Sequence, residues 1–132
     1  MKKKLVVSIL SLSVMVLSAI PVLAATPTTE KSNPSGSGYA IVRDNDYANI
    51  QPSASNKYIK NSDNTKVGYW IYGKRDGNVV SEYKVYVGEG RASVTNGEGY
   101  YDDGGWVEVE SWSKAAQPWT SKGTNKAYYD FR

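Results

Sequence analysis

The sequence predicts an all-β fold: a small antiparallel β-sandwich or open barrel of five to six short strands, preceded by a signal peptide and a flexible extension. Three observations predict it. The long apolar run Leu5 to Ala19 stands directly behind three lysines at the N-terminus, the arrangement of an export signal rather than of a core element. Every Leu and both Met fall within the first 24 residues, so the rest of the chain builds its core from Val, Ile, Tyr and Trp, which favour strands. From Val67 onward, short apolar stretches are separated by Asp-Gly, Asn-Gly and Gly-rich turn signals at about the eight-to-twelve-residue spacing of small β domains.

Residues 1–25 read as the signal peptide. Lys2 to Lys4 make the positive end, Pro21 breaks the apolar helix, and Val22-Leu23-Ala24-Ala25 offers small residues for cleavage after Ala24 or after Ala25. An uncleaved anchor is the rival reading, since Leu5 to Ala24 is about the spanning length. Four serines in the apolar run and the proline near its end favour cleavage. The expected localisation is therefore secreted and extracellular, with the signal engaging the export machinery only.

Cleavage changes the charge. The 132-residue precursor carries 16 Lys+Arg against 13 Asp+Glu, a net charge of +3. Three of the basic residues and none of the acidic ones leave with the signal, so the exported chain is formally neutral. Nucleic acid is thereby excluded as a partner, because binding it needs a clustered positive field. The absence of Cys excludes disulfides and thiolate nucleophiles, and the absence of His removes the usual relay base and the commonest zinc ligand. The expectation is a protein without a cofactor or a metal site that binds rather than catalyses.

Residues 26–66 read as the flexible extension. The stretch 26–38, TPTTEKSNPSGSG, has almost no apolar content and resembles a linker. Tyr39-Ala40-Ile41-Val42 could pair as one docked strand. Residues 67–132 form the main domain. Val67 to Tyr72 is a strand, Asp76-Gly77 a hairpin turn, and Val79 to Val87 an alternating strand. Gly88-Glu89-Gly90 is expected to fold Arg91 to Thr95 back as a partner strand. Asn96-Gly97 and Asp103-Gly104-Gly105 mark further turns, Trp106 to Trp112 is a strand, and Lys126 to Phe131 closes the domain.

Four blocks in order, Gly68-Tyr69-Trp70-Ile71-Tyr72-Gly73, Ser81-Glu82-Tyr83-Lys84-Val85-Tyr86, Gly104-Gly105-Trp106 and Ala127-Tyr128-Tyr129-Asp130-Phe131, resemble the lactococcin 972 family of bacteriocins. The match covers about residues 67–132, and 26–66 has no counterpart in that family's compact domain. The resemblance implies a small β-sandwich exported by Gram-positive bacteria. It implies an antimicrobial that binds the lipid-linked cell-wall precursor, lipid II, and blocks septum formation in related bacteria without forming pores. It leaves room for a homodimer and for a membrane immunity transporter encoded nearby, and it carries no contact residues with it.

Read for themselves, the aromatic residues offer flat faces for stacking on sugars or bulk for a Leu-free core. Trp70, Tyr72, Tyr86, Trp112 and Trp119 are the candidate ligand-facing rings, with Trp119, beside Pro118, the best placed to be exposed. Glu108 and Glu110, two apart on an expected strand, have the spacing of a glycosidase pair, but a charged strand edge explains them as well. Asp44-Asn45-Asp46, Asp63-Asn64 and Asp102-Asp103 carry oxygen ligands without a calcium-loop spacing and read as turn formers. The expected partner is the cell-wall precursor or a cell-surface glycan. The alternative is a secreted, non-toxic carbohydrate- or wall-binding module.

Overall fold

Strand-forming residues with alternating burial generate two facing sheets. The computed structural model describes residues 34–48 and 56–132, all within one compact unit, Lys31–Arg132. The expected signal peptide, with its cleavage candidates Ala24 and Ala25, lies outside the described residues. Among the described residues nine strands run in chain order: β1 Gly36–Val42, β2 Asn56–Lys60, β3 Lys66–Arg75, β4 Asn78–Val85, β5 Glu89–Thr95, β6 Tyr101–Asp103, β7 Val107–Glu108, β8 Trp112–Pro118 and β9 Asn125–Phe131. The first sheet has the order β1-β9-β5-β6, with β7 also pairing β5; the second has the order β2-β3-β4-β8. Every strand pair is antiparallel, no helix occurs among the described residues, and the sheets do not close into a barrel.

The core lies between the sheets and is built around aromatic rings. Trp70 and Tyr83 are fully buried with Val67, Val79, Val85, Ala92, Val94 and Ala127. Tyr129 meets Trp70 edge-on at 4.8 Å and lies 5.5 Å from Tyr83. In a core without Leu or Met, these rings fill the volume that branched aliphatics otherwise occupy. Two serines that interrupt the apolar alternation hold the layers together. Ser81 Oγ accepts the Trp70 indole N–H at 2.8 Å and donates to the Tyr128 carbonyl of the opposite sheet at 2.7 Å. Ser113 Oγ accepts from the Ala92 N–H and donates to the Gly105 carbonyl. A buried indole N–H without such a partner would cost about 1–3 kcal/mol.

The Asp76-Gly77 turn forms as the sequence predicts. Arg75 pairs with Asn78, and both central residues have positive φ, 51° and 76°, the geometry of a type I′ hairpin. Three expectations need correction. The reading of 26–38 as linker fails at its end, because Gly36 and Gly38 lie in β1 opposite Phe131 and Tyr129. A Cβ on Gly38 would come within 2.5 Å of the Tyr129 hydroxyl, and one on Gly36 within 2.7 Å of the Phe131 ring. Glycine is there because aromatic rings of β9 lie across the strand, so composition that looks flexible is a packing requirement. The polar segment Asn56–Lys60 supplies a further strand, β2, so two strands of 26–66 join the sheets where one was expected.

The third correction concerns Gly88-Glu89-Gly90. It does not close a hairpin: β4 and β5 belong to different sheets, and the chain crosses between them at residues 86–88. A Cβ on Gly90 would sit 2.7 Å from Val85 Cβ and 2.8 Å from the Tyr83 ring, so β5 passes over β4 instead of beside it.

Candidate functional site

Alternation along β1, β9, β5 and β6 sends every second residue to the outer side of the first sheet. Register then aligns them in rows. Tyr39 of β1 pairs with Tyr128 of β9, Tyr128 with Ser93 of β5, and Ser93 with Asp103 of β6. The next row is Ser37, Asp130 and Arg91. On the other side Thr95 pairs with Tyr101. Ser37, Gly38, Tyr39, Arg91, Ser93, Thr95, Tyr101, Tyr128 and Asp130 line an open groove of about 720 Å³.

The rings form the walls. Tyr39 and Tyr128 stand 6.1 Å apart and tilted by 37°, and Tyr39 and Tyr101 are exposed over more than half their surface. The polar groups of the floor are held in place. Arg91 donates through Nε and Nη2 to Asp130 Oδ2 at 3.2 and 3.0 Å, and its Nη1 lies 3.9 Å from Asp103 Oδ2. Asp103 in turn accepts from the Tyr101 hydroxyl at 3.1 Å and from the Gly105 N–H at 2.7 Å. The hydrogen bond to Asp130 raises the Arg91 pKa and locks its charge. The Arg91 and Arg132 guanidinium groups lie over the Trp106 ring at 4.9 and 4.2 Å, and Arg132 pairs with Glu89 at 2.9 Å. The groove thus offers ring faces, hydroxyls and an internally paired ion network.

None of the five rings singled out from sequence lines this groove. Trp70 is fully buried and its N–H is taken by Ser81, so it is a core residue and not a ligand-facing one. Tyr72 is half-buried and stacked on Trp70 at 4.1 Å; burial first, then Asp46, raises its pKa. Trp119 is half-buried against the core, with Lys74 Nζ 4.9 Å above its ring, instead of standing free in a loop. Tyr86 and Trp112 lie on the outer side of the second sheet. The groove's own residues had a signal in strand phase: Tyr128 shares its phase with Lys126 and Asp130, whereas Ala127, Tyr129 and Phe131 point into the core.

The acidic candidates are engaged locally. Glu108 lies in the two-residue β7, but Glu110 stands beyond it in a turn with φ 66° and pairs with Lys84 at 2.9 Å. The two therefore do not share a strand face, which removes the spacing on which a glycosidase pair rested. Asp44 pairs with Lys74, Asp46 accepts the Arg43 N–H, and Asp102 accepts the Ala116 N–H. Asp63 and Asn64 lie in the β2–β3 turn, where Asn64 takes φ 63°. No cluster of three or more His, Cys, Asp or Glu able to hold a metal occurs among the described residues.

No family model, curated protein or solved structure matches this chain. The resemblance to the lactococcin 972 family rests on the four sequence blocks alone. In the fold those blocks are β3, β4, the turn before β7, and β9. They hold the core rings Trp70, Tyr83 and Tyr129 together with groove residues Tyr128 and Asp130.

Proposed function

We propose that this chain is a secreted, bacteriocin-like binding protein that recognises the lipid-linked cell-wall precursor, lipid II, and blocks septum formation in related Gram-positive bacteria. The groove on the first sheet carries the reading. Tyr39, Tyr101 and Tyr128 offer faces to the C–H side of a sugar ring, while Ser37, Ser93, Thr95, Arg91 and Asp130 offer donors and acceptors to its hydroxyl edge. Arg91, Asp130 and Asp103 are already fixed by one another, so binding orders few side chains and retains more of its interaction energy. The proposal is of binding without catalysis: the groove contains hydroxyls but no His or Cys to activate them.

The test uses the exported chain, residues 25–132, titrated with purified lipid II in detergent and with soluble peptidoglycan fragments, beside growth inhibition of related bacteria. Saturable binding, weakened at least about tenfold by Tyr39→Ala with Tyr128→Ala, is the expected result. Absence of both binding and inhibition overturns the proposal. Binding to wall fragments without inhibition of growth selects the non-toxic wall-binding module instead.

A further inference from the structure

The outer side of the second sheet divides into two halves. Over one half, Ala48 packs on Ile71 and Val80, held by its N–H to the Lys74 carbonyl at 3.1 Å. The other half holds a row that register draws across all four strands: Tyr58 of β2, Tyr69 of β3, Lys84 of β4 and Trp112 of β8. Tyr86 joins it, 6.5 Å from Tyr58. At the strand spacing of about 4.8 Å this row is roughly 14 Å long. Tyr58 is 49% exposed and Trp112 36%.

Charge marks this half as different from the groove. The edge strand β2 supplies Lys60, and β3 opens with Lys66; both are exposed and neither forms an ion pair with a described residue, whereas Lys57 is in register with Trp70 on the inner side, its Nζ 5.1 Å from that ring. Lys66 Nζ lies 3.9 Å over the Tyr58 ring, and Lys60 donates to Asn64. Asp63, in the connecting turn, is the acidic residue among them. Lys84 and Lys114 add two more cations, which face Glu110 and Glu82. The exported chain is neutral as a whole, so a local excess of lysine around exposed rings is a property of this face and not of the composition.

We propose that this face docks on the surface of an anionic lipid bilayer. Amphipathic rings interleaved with lysines suit the headgroup layer, where Tyr and Trp settle between water and acyl chains and lysines reach lipid phosphates. Charge decides against a neutral polysaccharide on the same face, because Lys60 and Lys66 stand among these rings without an ion-pair partner among the described residues. The inference stands apart from the ligand of the groove, which lies on the other sheet.

The test is co-sedimentation of residues 25–132 with phosphatidylcholine vesicles and with mixed phosphatidylcholine–phosphatidylglycerol vesicles, neither containing wall precursor. Binding to the mixed vesicles, weak binding to the neutral ones, and release by added salt are expected. At about fivefold per lysine near an anionic surface, Lys60→Gln with Lys66→Gln weakens binding on the order of 25-fold. Tyr58→Ser with Trp112→Ser also weakens it, while Tyr39→Ala, in the groove, leaves it unchanged. Equal affinity for both vesicle types, full binding by the double lysine variant, or equally tight binding to soluble polyphosphate overturns the proposal. Loss of glycan binding with vesicle binding intact would instead count against the groove alone.

Discussion

Both outer faces of the sandwich present tyrosines, yet they differ in how the charges around those rings are used. On the first sheet, Arg91 is held by Asp130 and Asp103, and Arg132 by Glu89, so both arginines beside Tyr39, Tyr101 and Tyr128 are paired, and Lys126 lies 5.9 Å over the Tyr39 ring. On the second sheet, Lys66 lies over Tyr58, and neither it nor Lys60 has an ion-pair partner among the described residues. A paired network gives directional hydrogen bonds to a neutral ligand, whereas unpaired lysines give a field that long-lived contact with anions can use. The same residue types, placed on opposite sides of one core, suit different partners.

The core that carries both faces is the first place to break the comparison, and alkaline pH does so. Burial pushes the phenol of Tyr83 far above its ordinary 10.0, and burial also raises Tyr72, Tyr86 and Tyr129. Each raised value means that the folded state holds its proton more tightly than the unfolded one. Their contribution is complete below about pH 10 and is lost as pH rises above it, by about 1.4 kcal/mol per pH unit for a group that stays protonated when folded. Denaturant midpoints should therefore be level up to about pH 9 and fall steeply beyond pH 10. Both faces should be lost together. Tyr83→Phe should make the fall shallower by about one proton, and a profile that stays level to about pH 12 would contradict the burial of these rings.

How far these features were legible follows from where each residue's reason lies. Asp76-Gly77 was legible because a two-residue hairpin states its requirement locally, as positive φ at both positions. The alternation of Val79, Tyr83 and Val85 was legible for the same reason, a period of two within one strand. Gly36 and Gly38 were not, since their reason is two rings of β9 nearly a hundred residues away in the chain. Nor was the crossing at residues 86–88, whose glycines signal a bend but not which sheet receives the next strand. Trp70 looked available for stacking because its sequence neighbours do not reveal Ser81 as the partner of its N–H. The groove was partly readable: Tyr128 lies in phase with Lys126 and Asp130, but its neighbours Tyr39 and Arg91 come from strands paired only in the fold.

A second change separates the faces. Gly38→Ala places a methyl group against the Tyr129 ring, which is itself wedged beside Trp70 and Tyr83. Overpacking of this kind costs about 1–3 kcal/mol, taken up by displacement of β1 or of the ring. Displacing β1 moves Ser37 and Tyr39, one wall of the groove, while β2, β3, β4 and β8 keep their register. Hydrogen exchange should rise in β1 and at its pairing with β9, glycan binding should weaken, and vesicle binding should persist. Unaltered exchange in β1 would show that glycine is not required there for packing.

The smallest effect on stability tests the largest difference between the faces. Arg91→Lys keeps the charge of the groove but not its geometry: a lysine offers one ammonium where Arg91 reaches Asp130 through two nitrogens and covers Trp106 with its plane. Since the Arg91 side chain is 30% exposed and its partners are near the surface, the loss in folding free energy should stay within about 1 kcal/mol, a shift of a few degrees in melting temperature. Glycan affinity should fall by several-fold more than that, because Asp130 and Asp103 would no longer be held at fixed positions along the groove. Vesicle binding should not change at all. If the lysine variant bound glycan as tightly as the parent, net charge would be sufficient for recognition on this face. The two sides of the molecule would then differ only in the sign and amount of their charge, and not in how each charge is held.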